Sequence, residues 1–120
     1  MRGMRPVAVH HVSLNVPDVD AGIAFYTRIL GGVLRVDRPA LGFDGAWIDV
    51  GDQQVHLLKG VVPPDAGQHF AVQVEDLDSV IEELRATGVN VSDATSIGAG
   101  CQAFLHDPAG NLVELHEVGN

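Results

Sequence analysis

The chain has 120 residues, 46% of them apolar, which is enough for one folded domain with a buried core. It carries 7 basic against 16 acidic residues, and this net charge of −9 disfavours nucleic acid and anionic lipid as partners. No apolar run is long enough to cross a bilayer, and the single Cys101 cannot form an intramolecular disulfide. We therefore expect a cytoplasmic protein that binds neither nucleic acid nor membrane.

The first half of the chain predicts one strand, one helix and three further strands. Residues 7–16 alternate and are rich in β-branched side chains, which is typical of a strand. Asp18 and Asp20 supply N-cap chemistry for a helix over 21–30, which Gly31 and Gly32 end. Shorter β-prone runs separated by Pro and Gly then predict strands over 33–37, 45–50 and 53–59.

The second half predicts the same order of elements. A strand over 69–74 precedes a helix over 77–86 that Gly88 closes. Strands over 89–92, 102–106 and 112–118 follow, the last of them after the turn at 107–110. Residues 60–67 are the only Pro- and Gly-rich stretch between the halves, so we expect a linker there. The prediction is an α+β fold of two βαβββ modules, about 7–60 and 68–118, within a single domain.

An internal repeat supports this division, because the second half aligns with the first at a shift of 58 residues. His11 falls on His69 at the start of each module, and His56 falls on Glu114 near its end. Within each module the two residues are 45 positions apart. Modules related by a pseudo-twofold axis could curve their sheets around one cleft and bring these four residues together.

The alternation of the strands places the same four residues on one side of the sheets. His11 shares a strand face with Ser13 and Asn15, while the residues between them are apolar and suit burial under the helix. The same alternation places His69 and Glu114 on the strand faces opposite their apolar neighbours. Three neutral imidazoles and one carboxylate suit one divalent Zn, Ni, Fe, Mn or Co ion with coordination positions left open. We predict a metal site formed by His11, His56, His69 and Glu114.

Two other histidines lie beside these candidates. By strand parity His10 should face the opposite side from His11 and stay at the surface or at a sheet edge. His116 shares the face of Glu114, so we expect it to support the site without binding the ion.

Four segments carry a resemblance to a known family. They are His-x-x-Leu-Asn-Val-Pro-Asp at 11–18, Ala-Phe-Tyr-x-x-x-Leu-Gly at 24–31, His-Phe-Ala-Val-x-Val-x-Asp at 69–76, and Asp-Pro-Ala-Gly-Asn-Leu-Val-Glu-Leu at 107–115. Together they resemble the vicinal-oxygen-chelate superfamily, which includes glyoxalases, bleomycin resistance proteins and extradiol dioxygenases. The resemblance covers nearly the whole chain and implies metal ligands at His11, His56, His69 and Glu114.

The resemblance leaves several reactions open, because one fold serves many functions. Glyoxalase I usually has a carboxylate at the position of His56. Fosfomycin-modifying enzymes resemble the chain at His11, His69 and Glu114 but carry cationic residues near the C-terminus that it lacks. Extradiol dioxygenases use the same three positions for Fe(II), and here His56 would crowd a site that oxygen needs. Homodimers are common in the family, which implies a homodimer here.

We favour a lyase or isomerase that acts on a small oxygenated molecule. Its metal would bind adjacent substrate oxygens and stabilise the enediolate that forms when a C–H next to a carbonyl loses its proton. Glu114 is the expected proton acceptor. Trp47 and Phe104 are expected to line the pocket, and Ser13 to hydrogen-bond the ligand. The alternatives are Fe(II)-dependent ring cleavage and a protein that binds a drug or toxin without turnover.

Overall fold

The computed structural model describes residues 3–119 and divides the chain into two units, one ending at Val61 and the other beginning at Val62. The division falls inside the predicted linker. Each unit consists of a helical segment and a four-stranded sheet, so the predicted α+β architecture of two modules is confirmed. Within residues 3–119, neither helix has the length and apolar character needed to span a membrane.

The first unit forms a mixed sheet in the order β1-β4-β3-β2. β1 and β4 run parallel and the other pairs run antiparallel. A parallel pair needs a long crossover, which here is made by α1, a π-helical turn and the β2-β3 strands. The elements are β1 (His11–Val16), α1 (Val19–Ala24), the π-helical turn (Phe25–Ile29), β2 (Val33–Leu34), β3 (Gly45–Val50) and β4 (Gln53–Lys59).

The second unit repeats this topology in the order β5-β8-β7-β6, with β5 and β8 parallel. Its helix α2 occupies the predicted residues and is capped by the side chain of Asp76, which accepts from the backbone N–H of Ser79. The elements are β5 (Phe70–Gln73), α2 (Leu77–Ala86), β6 (Thr95–Ile97), β7 (Gly100–His106) and β8 (Leu112–Glu117).

Each sheet buries one face and leaves the other more open. In the first unit the buried side chains alternate along β3 and β4, as the pleat requires: Ala46, Ile48, Val55 and Leu57. Gly22 lets α1 approach this face closely, because a Cβ there would lie 2.8 Å from Cδ1 of Leu57. In the second unit the equivalent buried residues are Ala103, Leu105, Val113 and Leu115. The candidate ligands therefore lie on the faces that the cores leave free.

The first helix starts as predicted but does not remain α-helical over 21–30. Asp18 caps it by accepting from the backbone N–H of Ala21 at 3.1 Å. After Ala24 the chain continues as the π-helical turn. The hydroxyl of Thr27 donates to the carbonyl of Ile23 at 2.7 Å, and such bonds compete with the regular helix ladder. The helical segment ends before Gly31, whose φ is +75°.

The predicted strand over 33–37 is shorter than expected. β2 ends at Leu34, although Arg35 still donates its backbone N–H to the carbonyl of Trp47. The side chains of Arg35 and Asp37 form an ion pair across Val36, which bends the chain and leaves Val36 99% exposed. The local ion pair thus replaces further strand pairing.

The predicted strand over 89–92 is wrong. Val91 forms only an isolated bridge with Leu105, and the edge strand is β6 instead. β6 forms a hairpin with β7 through a turn at Gly98, whose φ of +54° suits glycine. The segment around Gly98 is therefore part of the sheet's edge.

Candidate metal-binding pairs in the two units

The open face of the first sheet brings together four residues named by the sequence, His11, Ser13, Trp47 and His56. We define this face by the residues of β1, β3 and β4 that alternate with the buried ones. The strand register places Trp47 and Ser13 on either side of His56, with His11 beside Gln54. Paired residues point to the same side of a sheet, so the predicted ligands and pocket residues of this unit share one surface.

The rings on this face form a stack. His56 lies between His11 and Trp47, with ring centroids 3.9 Å and 4.7 Å away and interplanar angles of 12° and 13°. Nearly parallel rings at these distances fix the plane of the central imidazole. The stack therefore leaves His56 only its ring edges, where both nitrogens lie, for hydrogen bonds or ligation.

The environment of His56 favours the neutral ring. Its pKa is lowered, chiefly by burial, then by the charges of His11 and His10, and further by Arg38 and Arg35. Its Nε2 lies 2.8 Å from Oε1 of Gln54. With this oxygen as acceptor, Nε2 carries the proton and Nδ1 keeps its lone pair. A neutral histidine with one nitrogen engaged and one free is the form that binds metals.

The predicted separation of His10 from His11 is wrong. Their Nδ1 atoms lie 2.9 Å apart, and their rings meet edge to face at a centroid distance of 5.1 Å. His10 precedes β1, so strand alternation does not apply to it and the chain can turn its ring towards His11. One proton shared between the two Nδ1 atoms leaves Nε2 of His11 unengaged by this contact.

The open face of the second sheet brings together His69, Glu114 and Phe104. Glu114 of β8 pairs with Ala71 of β5 on one side and with Phe104 of β7 on the other. His69 immediately precedes β5, and its ring meets that of Phe104 edge to face at 5.3 Å. The carboxylate thus has an aromatic neighbour and an imidazole neighbour, as His56 has in the first unit.

Both nitrogens of His69 have defined partners. Nδ1 lies 2.8 Å from the carbonyl oxygen of Gly67, which can only accept, so Nδ1 carries a proton. Nε2 lies 3.0 Å from Oε1 of Glu114. The Gly67 carbonyl and the Glu114 carboxylate raise the pKa of His69, against the opposing effect of burial. A backbone carbonyl behind Nδ1 is the common support of a histidine that binds a metal through Nε2.

Glu114 is the buried acid of this face, at 8% exposure. Its second oxygen, Oε2, accepts from Nδ1 of His116 at 2.8 Å. The prediction that His116 supports Glu114 agrees with this contact. Two imidazoles therefore hold the carboxylate, one at each oxygen, and fix its orientation.

The contact between His69 and Glu114 fits a cation between the two atoms. When His69 is neutral, its Nε2 lone pair faces a carboxylate oxygen, and two acceptors 3.0 Å apart repel each other unless a proton or a metal ion lies between them. Two ligands at right angles on an ion with bonds of about 2.1 Å would be about 3.0 Å apart. Among residues 3–119, however, no three His, Cys, Asp or Glu side chains form a group that could hold an ion.

Sequence reasoning did not identify Gln54, Gly67 or Arg38 as parts of these faces. Gln54 precedes His56 by two residues, so parity could have placed it on the same face. The Gly67 carbonyl and the Arg38 side chain depend on loop conformations, for which the sequence carried no signal.

Comparison with known proteins agrees with this architecture. The chain is 31% identical to lactoylglutathione lyase GLX1 of Arabidopsis thaliana over 91% of its own length, and spans 44% of that protein. It is 29% identical to the mitochondrial methylmalonyl-CoA epimerase of Homo sapiens, covering 92% of the chain and 73% of the relative. The crystal structure of a glyoxalase family protein from Bacillus anthracis superposes with a TM-score of 0.85 at 25% identity, covering 98% of both chains.

The sequence profile of one family also matches residues 8–115, which is most of the chain. The matched range contains both open faces and their candidate ligands. The chain belongs to the Glyoxalase/Bleomycin resistance protein/Dioxygenase superfamily.

Proposed function

We propose that the chain is a divalent-metal-dependent lyase or isomerase that removes a proton from a carbon next to a carbonyl. The proposed metal ligands are the four residues named by the sequence, His11, His56, His69 and Glu114. The observation that carries the proposal is the approach of Nε2 of His69 to Oε1 of Glu114 at 3.0 Å, with the other side of each group already bonded.

The donor set suits Zn, Ni, Fe, Mn or Co, because imidazole nitrogens are combined with one carboxylate. A bound ion of this kind would supply Lewis-acid polarisation of a substrate oxygen. Burial favours the neutral form of His56 and His11 is stacked on it, so the first pair offers imidazole nitrogens as ligands.

Glu114 is the proposed proton acceptor. Its Oε2 stays bonded to His116 while Oε1 exchanges partners, so the carboxylate can take up a proton at Oε1 without losing its orientation. Burial at 8% exposure excludes most water, which keeps the acceptor oxygen for the substrate.

The relatives support this class of reaction. Lactoylglutathione and methylmalonyl-CoA, named in two of them, are both thioesters with a C–H next to the carbonyl. The same proton-transfer chemistry serves a lyase and an epimerase. We therefore propose this class of reaction. Experiment must identify the acyl group of the substrate.

The remaining site residues follow from their places on the open faces. Trp47 stacks on His56, and Phe104 meets His69 edge-on, so both aromatic rings adjoin a proposed ligand. Ser13 pairs with His56 across β1 and β4. We propose that these three side chains contact the substrate, the rings by packing and the hydroxyl by hydrogen bonding.

The first test combines metal content with proton exchange. Untagged protein is analysed for bound metal, and loss of the α-proton signals of S-lactoylglutathione and methylmalonyl-CoA is followed by NMR in D₂O. We expect about one ion per chain and metal-dependent exchange of at least one thioester. Glu114→Gln should lose exchange. Glu117→Gln, the same change on the same strand, should retain it, because an amide oxygen can still accept from the backbone N–H of Leu77.

Other outcomes would favour the rival functions. Oxygen consumption with Fe(II) and a catechol would indicate a dioxygenase, and the absence of any bound metal after reconstitution would favour a small-molecule binding protein. Undiminished exchange in metal-loaded Glu114→Gln would exclude Glu114 as the acceptor. Light scattering of the same samples tests the expected homodimer.

A further inference from the structure

Arg38 lies over the open face of the first sheet beside Gly45, which is two residues before Trp47 on β3. Its Nη2 is 2.8 Å from the point where a Cβ of Gly45 would lie, so the missing side chain of Gly45 makes room for the guanidinium. Gly45 and Trp47 alternate with the buried Ala46 and share the open face. Arg38 is therefore on the same surface as the His11–His56–Trp47 stack.

The guanidinium is held in place but is not neutralised. Nη2 donates to the carbonyl of Phe43 at 3.1 Å, and Cζ lies 5.2 Å from the centroid of the Phe43 ring. Within the described residues, Nε is buried and has no hydrogen-bond partner, and no carboxylate forms an ion pair with Arg38. A buried N–H without an acceptor costs free energy, so its retention needs an explanation.

Arg35, on the same face, is an arginine whose charge is paired within the chain. It donates Nε and Nη2 to Asp37 and Nη1 to Asp49, so its donors are matched by carboxylates of the chain itself. Arg38 lacks such a partner although the chain has 16 acidic residues. The positive charge of Arg38 also contributes to the lowered pKa of His56, which agrees with its position on the face.

We infer that Arg38 recognises an oxyanion, a carboxylate or a phosphate, of the molecule that binds on the open face of the first sheet. Two oxygens of a carboxylate or a phosphate can accept from Nε and a neighbouring Nη together, the forked geometry that guanidinium favours. Because Nε is covered, an oxyanion can reach it only if the surrounding groups or the Arg38 side chain shift. The inference deepens the proposed function, on which it rests, by assigning an anionic group to the substrate.

The test uses the full chain and the fluorescence of Trp47, its only tryptophan, during titration with inorganic phosphate and with acetate. Metal is removed and the chelator dialysed away, so that neither the ion nor the chelator competes for the anion. We expect saturable binding of at least one anion that weakens roughly tenfold or more in Arg38→Gln. Arg38→Lys, which keeps the charge but loses the fork, should bind with intermediate affinity.

The matched control is Arg28→Gln, which makes the same charge change at an exposed position of the π-helical turn. It should bind as the wild type does. Equal affinity in Arg38→Gln and wild type, equal losses in both variants, or no saturable binding by wild type would each overturn the inference. Phosphate and acetate separate the two anion classes. Because the titration needs neither metal nor turnover, its failure is distinct from a failure of the metal-content and exchange test.

Discussion

The two units place a ligand pair at equivalent positions but hold it by different means. In the first unit a stack of rings fixes His56, and Gln54 engages Nε2, which leaves Nδ1 with a lone pair. In the second unit the Gly67 carbonyl engages Nδ1 of His69, and Nε2 faces Glu114. One repeat has thus produced a pair whose central imidazole, His56, favours the neutral form, and a pair in which the imidazole of His69 faces a carboxylate.

This difference assigns the pairs unequal roles in the proposed reaction. The second pair contains the only carboxylate among the four proposed ligands, and that carboxylate is buried. The negative charge of this carboxylate stabilises a bound divalent ion more than any imidazole does, because imidazoles contribute no negative charge. The first pair adds no negative charge and adjoins Trp47 and, on the same face, Arg38.

Loss of Glu114 should have the largest effect. We expect Glu114→Ala to weaken metal binding by more than the roughly 10–100-fold typical of losing a supporting residue. His56→Ala should weaken it less, because a neutral ligand is lost and the charge of the site is kept. Titration with a competing metal indicator measures both. An effect of His56→Ala equal to or larger than that of Glu114→Ala would contradict the assignment of roles.

Loss of His116 should have the next largest effect. Its bond to Oε2 of Glu114 orients the carboxylate, so His116→Ala should weaken metal binding by roughly 10–100-fold while leaving the fold intact. His106→Ala is the control, because His106 contacts Asp65 at the exposed side of the same unit. Circular dichroism checks folding in both variants. Equal affinities in the two variants would show that His116 does not position Glu114.

The smallest effect concerns stability against pH in metal-free protein. The pKa of His69 is raised in the folded protein. Its contribution to the free energy of unfolding is therefore fully present below the pKa of the unfolded state, about 6.5, and is lost as the pH rises through the folded pKa. The lowered pKa of His56 has the opposite consequence. Its contribution is present above about 6.5 and is lost as the pH falls through the folded pKa.

Urea unfolding at about pH 5.5 and about pH 8 tests this contrast. His69→Gln should lower the free energy of unfolding more at the lower pH. His56→Gln should lower it more at the higher pH. Parallel changes in the two variants would mean that the units do not differ in the way described.

The sequence predicted much of this arrangement because it depends on local periodicity. Alternation placed Ser13 and His56 on one face, and the repeat placed Glu114 opposite His56 in the alignment. The repeat was less informative about the aromatic neighbours. Trp47 and Phe104 occupy equivalent registers beside His56 and Glu114, although a shift of 58 residues would align Trp47 with Leu105.

The features that sequence reasoning missed arise from contacts that periodicity does not encode. His10 turns towards His11 because it lies before the strand, and Arg38 reaches the sheet because Gly45 leaves space several residues away. The β6 strand depends on a glycine turn that shares its composition with ordinary loops. Each of these needs the course of the loop to be known before the contact can be inferred.

The parallel pairing of first and last strands has a consequence for how the ligand pairs arise during folding. His11 and His56, like His69 and Glu114, are 45 positions apart and come together only when β1 meets β4 and β5 meets β8. Closing a loop of that length costs entropy that the contacts between the parallel strands must offset. Each ligand pair therefore forms only when these strands meet, and an ion that binds both of its members would stabilise that unit against unfolding.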